Sequence, residues 1–193
     1  MYISAETISE MERKYGAPAE IWLAYEMKPV EFDMVLRSQK HGRAHDVTLF
    51  IIHEGQVVVT KKPMYPPGAY RAPSGGVAPG ERFEDGALRE GYEETGLRIK
   101  LERYLLRARV RFTSDQRIID WTSHVFAARS TGGRLQPIDT REIVEARLAT
   151  IEELTGNIRE AMLGSGSTGL RYRADLNDRT IEKLIEEGFL TPP

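Results

Sequence analysis

Residues 73–97 read PSGGVAPGERFEDGALREGYEETGL, and the reading of this stretch decides the rest. It opens on proline and glycines, which suit a loop. From about Phe83 to Thr95 the residues form helix readily, and Gly96 stands where a helix commonly ends. With about 100° of turn per residue, Glu90, Glu93 and Glu94 share an arc of roughly 100° on that helix. Like charges on one helical face repel, and each carboxylate raises its neighbours' pKa unless a cation is present. A helix built only for packing gains nothing from this crowding. Gly86 and Ala87 fall in the same sector one turn earlier and predict a groove beside the acids, whereas Leu88 and Tyr92 fall opposite, toward a sheet.

Hard oxygen donors of this kind select Mg²⁺ or Mn²⁺ over softer metals. Mg²⁺ is held by a few carboxylates and completes its shell with waters and substrate phosphates. Hydrolysis of a metal-neutralised diphosphate is the chemistry such a cluster serves. The glycine-containing loop 74–80 lets backbone groups approach the same place, so a main-chain carbonyl is a further candidate donor. The plain alternative is a solvated acidic face on a surface helix.

Upstream of this helix, Val47–Ile52 and Gln56–Thr60 are β-branched runs around Glu54-Gly55, a hairpin signal. Residues 63–73 hold too many prolines for regular structure. Downstream, residues 98–114 and 117–130 read as two strands, followed by a turn at Thr131-Gly132-Gly133. Residues 142–154 read as a strand passing into a helix, 164–169 as a flexible loop, and 178–190 as a short amphipathic terminal helix. Near the start, residues 4–15 read as a helix behind a Ser4 cap. PAEIWLAYEM (18–27) reads as a short helix or as an extended segment in a dimer contact. The expected organisation is an extension over 1–42, a mixed α/β domain over 43–160, and a loop with a final helix over 161–193.

The bulk composition narrows the function. The 27 basic and 29 acidic residues give a net charge of −2, which argues against bulk electrostatic binding to nucleic acid or an anionic membrane. There is no cysteine, so disulfides, thiolate nucleophiles and cysteine-bound zinc are excluded. The first residues, MYISAETISEMERKYG, lack the apolar core of a signal peptide, and no apolar run approaches membrane-spanning length. A soluble cytoplasmic protein is expected.

Gly75, Glu81, Arg89-Glu90, Glu93-Glu94 and Gly96-Leu97 match the Nudix box, G-x5-E-x7-R-E-U-x-E-E-x-G-U with U a bulky aliphatic. The chain therefore resembles the Nudix hydrolases over about residues 43–160. The resemblance implies an α/β fold, the family's α/β/α sandwich with a mixed sheet. It implies that Glu90, Glu93 and Glu94 ligate Mg²⁺ or Mn²⁺, with the Ser74 backbone carbonyl as a further ligand. Glu81 would reach the metal through water or pair with Arg89, and Arg89 would orient the glutamates. Gly91 stands where the box has an aliphatic residue. A glycine inside a helix costs up to about 1 kcal/mol against alanine, and Leu88 and Tyr92 would then carry more of the anchoring.

The family cleaves a nucleoside diphosphate linked to another moiety. KKPMYPPGAYRAPSGG (61–76) resembles the ADP-ribose and sugar-nucleotide branch. On that reading Lys61, Lys62 and Arg71 meet phosphates, and Tyr65 or Tyr70 stacks on a base. The proline found some 15 residues after the box in ADP-ribose enzymes is absent, and Phe112 occupies its neighbourhood. The general base is a box glutamate or a late acid, for which Glu142 in DTREIVEAR (139–147) is the candidate. His124 and Trp121 read as structural. The 164–169 loop is a mobile connection or a lid bringing Arg171 or Arg173 to phosphate. Trp22 and Leu23 are candidates for a homodimer contact. The alternative function is a Nudix-fold nucleotide-binding or regulatory module without turnover. An isoprenyl-diphosphate isomerase is disfavoured because the thiol acid of that branch is missing.

Overall fold

The computed structural model describes residues 3–192, apart from the side chain of Lys40. Met1, Tyr2 and Pro193, the outer ends of the two flanking segments, lie outside the described residues. In chain order the elements are α1 (Ala5–Tyr15), β1 (Ala19–Glu26), α2 (Pro29–Ser38), β2 (His45–His53), β3 (Gln56–Lys61), β4 (Ser74–Gly75), α3 (Phe83–Thr95), β5 (Leu97–Ser114), β6 (Arg117–Gly133), β7 (Glu145–Ala149), α4 (Ile151–Thr155), α5 (Asn157–Gly164) and α6 (Thr168–Glu186).

Seven strands make one mixed sheet in the order β1-β5-β6-β2-β3-β7, with β4 paired to β2. β1 runs parallel to β5 and β2 parallel to β6, and the other pairings are antiparallel. β2 is buried over nearly its whole length, as a strand covered on both faces must be. Its alternation divides the core. Val47, Leu49 and Ile51 pack with Met11 and Tyr15 of α1 and Phe83 and Ala87 of α3. Phe50 and Ile52 belong to the opposite cluster with Phe32 of α2, Leu154 of α4, Ile158 and Met162 of α5, and Leu184 of α6. Helices therefore cover both faces, giving the α/β sandwich expected from the sequence.

Several local expectations need correction. PAEIWLAYEM resolves to a strand at the sheet edge, because its residues alternate: Ile21, Leu23 and Tyr25 turn to the protein's own core while Trp22 is 74% exposed. The turn at 131–133 is instead the end of β6, with Gly132 and Gly133 still paired to Arg98 and Leu97. The flexible loop at 164–169 shrinks to three residues between α5 and α6, and the final helix begins at Thr168, ten residues before Asp178. Ser167 caps it by accepting from the Leu170 amide at 3.2 Å. Tyr92 does not face the sheet; it is 45% exposed.

Candidate active site

α3 lies against the sheet through Phe83, Ala87, Gly91, Glu94 and Thr95. The groove expected beside Gly86 and Ala87 is not open, since both residues are buried. Gly91 is what lets the helix sit so close. A Cβ there would meet Ile99 Cδ1 at 2.6 Å and Leu49 Cδ1 at 3.2 Å. Its departure from the box pattern is thus a seating device, and the anchoring expected of Tyr92 comes from this contact instead. Gly96 adopts φ 73° at the C-terminus of α3. The Ile138 and Asp139 amides donate to the Glu93 carbonyl at 2.9 and 3.0 Å, so the loop before Glu142 is tied to the last turn of α3.

Two arginines organise the glutamates. Arg71 is buried and donates from Nη2 to Glu94 Oε1 at 2.8 Å. Its Nη1 donates to the Ser74 hydroxyl and to the Ser74 carbonyl, the latter at 3.3 Å. Glu94 Oε2 accepts from the Ser74 amide at 3.0 Å. Arg89 grips Glu81 with both Nε and Nη2, at 2.9 and 3.0 Å. Its Nη1 donates to Glu90 Oε1 at 2.8 Å and Glu93 Oε2 at 3.0 Å, and Nη2 also reaches the Gly76 carbonyl at 3.0 Å. The Glu90 carboxylate lies flat against Gly75, where any side chain would collide with it.

The charges follow from these contacts. Burial pushes the Glu90 carboxyl up, against the pull of Arg89, and the charges of Glu94 and Glu93 add to the rise. The Arg89 guanidinium holds Glu81 below its ordinary value, helped by the Ala78 amide. Burial pushes Glu142 up, but the Lys62 ammonium, 2.5 Å from Oε1, brings it to a net lowering.

The donors around α3 are all hard oxygens, and Glu90 carries a burial penalty that a cation would relieve. The set therefore fits Mg²⁺ or Mn²⁺ in its chemistry. Among the described residues no three acidic or histidine side chains already stand grouped as metal ligands; Arg71 and Arg89 supply the positive charge in the arrangement seen.

A cavity of about 760 Å³ opens beside this cluster. Ser74, Gly75, Gly76 and Glu90 line it on the box side. α2 contributes Glu31, Met34 and Val35, and the start of α6 contributes Leu170, Tyr172 and Arg173. Of the residues read from sequence as substrate contacts, Lys62, Arg71 and Tyr65 line the cavity. Lys61 and Tyr70 are not among its lining residues; Lys61 lies over the Tyr70 ring, and the Tyr70 hydroxyl donates to Glu145 at 2.8 Å. Glu142 lines the cavity, and so does Trp121. Arg173 reaches it too, donating to Asp46 Oδ2 at 2.7 Å, whereas Arg171 does not. His124 is buried and bonded to the Tyr104 hydroxyl. Arg43, Met34 and Tyr172 escaped the sequence reading because nothing in the box points to segments so distant in the chain.

A family model described as NUDIX domain matches residues 42–166, and the chain belongs to the Nudix family. Over 116 residues it is 33% identical to "Putative mutator protein MutT4" of Mycobacterium tuberculosis; the match covers 60% of this chain and 44% of that relative's length. In three dimensions it resembles a NUDIX hydrolase from Nitrosomonas europaea at 20% identity and TM-score 0.52, covering 75% of this chain and 72% of that one. It also resembles the Bacillus subtilis pyrophosphohydrolase BsRppH at 22% identity and TM-score 0.50, covering 75% and 83% of the two chains. At these identities the structural likeness is one of fold. No helix among the described residues is long and apolar enough to cross a membrane.

Proposed function

We propose that the chain is a divalent-metal-dependent pyrophosphohydrolase that cleaves the diphosphate of a nucleoside diphosphate linked to another moiety. One observation carries the reading: Glu90 and the Ser74–Gly76 backbone face a cavity large enough for a nucleotide-sized ligand. Glu90 and Glu93, with the Ser74 carbonyl, would hold Mg²⁺ or Mn²⁺. Glu94, enclosed with Arg71, would join them by turning an oxygen from that pair. Arg89 positions the carboxylates, and Glu81 steadies Arg89. When bound, the cation neutralises the diphosphate and makes water a better nucleophile. Glu142, ionised and held by Lys62, takes the proton of the attacking water. A new P–O bond forms as the bridging P–O bond breaks, leaving two phosphate products.

ADP-ribose and sugar nucleotides are the substrates to try first, on the strength of residues 61–76. We also infer a cytoplasmic site of action and a homodimer formed through β1, whose Trp22 stands exposed on the outermost strand. A monomeric mass in sedimentation would end the dimer reading.

The test is a panel of ADP-ribose, sugar nucleotides, dinucleoside polyphosphates, NADH and oxidised dNTPs, read by chromatographic separation of the phosphomonoester products with Mg²⁺, with Mn²⁺ and with chelator. Cleavage that depends on metal is expected for at least one compound. Nucleotide binding with no cleavage in either metal would favour the regulatory module instead.

A further inference from the structure

Four cationic side chains line the cavity: Arg43, Lys62, Arg71 and Arg173. Three of them are neutralised. Lys62 is paired with Glu142, Arg71 with Glu94, and Arg173 with Asp46. The acids on the cavity wall are likewise engaged. Glu90 is held by Arg89, and Glu31 accepts from the Ser167 hydroxyl and the Thr168 amide at the start of α6. Arg43 is different. Its Nε donates to the Ser38 carbonyl at 3.1 Å, and its guanidinium carbon lies 5.7 Å from the centroid of the Trp121 ring. Among the described residues it makes no ion pair, and its Nη groups have no acceptor.

The position of this guanidinium matters as much as its charge. It rests on the backbone of Gly76, where a side chain would collide with Nη1. Gly76 follows Gly75, on which the Glu90 carboxylate lies. Among the described residues, the one unneutralised cation of the wall thus stands on the box loop itself, next to the acids that would hold the metal. A half-buried charge without a partner is unfavourable, and a planar guanidinium matches two phosphate oxygens as an ammonium does not.

We propose that Arg43 anchors the substrate's diphosphate, donating from its Nη groups to non-bridging phosphate oxygens. Ser38 and Trp121 hold the guanidinium plane for that contact. The rest of the substrate then enters the wall formed by α2 and the start of α6, so these flanking elements take part in selecting it. The inference rests on the diphosphate substrate proposed above.

The test is calorimetric titration of the full chain with ADP, with Mg²⁺ and with chelator, for the wild type, Arg43→Ala and Arg43→Lys. Arg43→Ala is expected to weaken ADP binding by about tenfold or more, the loss that follows when a charge-assisted hydrogen bond is removed. Arg43→Lys is expected to fall between the two, because it restores charge without the two-pronged geometry. Its intermediate value keeps the test decisive even where Arg43→Ala lowers the melting temperature. ADP affinity in Arg43→Ala within about twofold of wild type, or no ADP binding by the wild type in either condition, would overturn the proposal. The hydrolase reading stands or falls separately, on turnover of the panel by the wild type.

Discussion

Arg71 and Arg89 both hold box glutamates, but in opposite settings. The Arg71 and Glu94 side chains keep 2% and 4% of their surface exposed, while Arg89 keeps 35% and Glu93 43%. A buried pair cannot lose one partner cheaply, because the other is left as an isolated charge in a poor solvent. Glu93, the exposed member of the Arg89 set, can exchange partners at little cost, since water compensates. Arg71 and Glu94 thus join α3 to the loop at Ser74. On the proposed mechanism Glu93 is the carboxylate that most easily trades Arg89 for a metal.

The largest effect expected from this contrast is on stability. Arg71→Met should cost about 3–5 kcal/mol, as breaking a buried ion pair does, read by urea unfolding. A loss under about 1 kcal/mol would put Arg71 in the same setting as Glu93 and erase the distinction. Arg89→Gln should cost less in stability and more in turnover. Its stability should fall by about 1–3 kcal/mol, because the largely buried Glu81 and Glu90 lose a charged donor, and turnover of the panel substrate should fall about 10- to 100-fold, the usual loss when a ligand's supporting partner is removed. A large unfolding penalty with normal turnover would invert the two roles.

A third prediction concerns the sheet beneath the cluster. Burial lowers His45 to about 4, and burial with the nearby His45 lowers His124 to about 3. Both bind protons less readily folded than unfolded. Stability is therefore complete above the ordinary histidine range near 6.5 and is lost as pH falls below it toward the folded values. At pH 5 each contributes a loss of about 2 kcal/mol. Urea midpoints of the wild type between pH 5 and 7 should slope upward, and His124→Leu should slope less. Equal slopes would mean that His124 is not held neutral.

The smallest effect is at Gly91. Alanine would improve helix propensity by about 1 kcal/mol, but its Cβ would press on Ile99 and Leu49, and overpacking costs about 1–3 kcal/mol. Gly91→Ala should destabilise by about 1 kcal/mol in thermal unfolding. A gain would show that α3 is seated less tightly than the fold implies.

The parts of this arrangement that were legible in the sequence share a local cause. α3, its terminal glycine and the β2–β3 hairpin are fixed by neighbours within a few residues, and each appears where the sequence places it. The glutamate arc was legible for the same reason, since helical periodicity alone gathers it. What could not be read depends on partners far along the chain. The pairing of Arg71, read from sequence as a phosphate contact, with Glu94, 23 residues later, could not be seen because nothing nearby shows it. The cavity wall joins α2 to α6 across more than 130 residues, through Glu31 and Ser167. Gly91 looked like a defect until Ile99 and Leu49 were seen beside it. Ala19–Glu26 admitted both helix and strand, and only pairing with β5 decides it.

The same contrast selects the variant for the decisive experiment. Glu94→Gln would strand Arg71 in the interior and confuse catalysis with folding. Glu93→Gln removes the exposed carboxylate instead. The measurement is the rate of metal-dependent diphosphate cleavage by Glu93→Gln relative to wild type, on protein whose melting temperature is unchanged. The account predicts a loss of at least about a hundredfold, of the order seen when a group stabilising transition-state charge is removed. A rate within about threefold of wild type would contradict the placing of the active centre at the α3 glutamates.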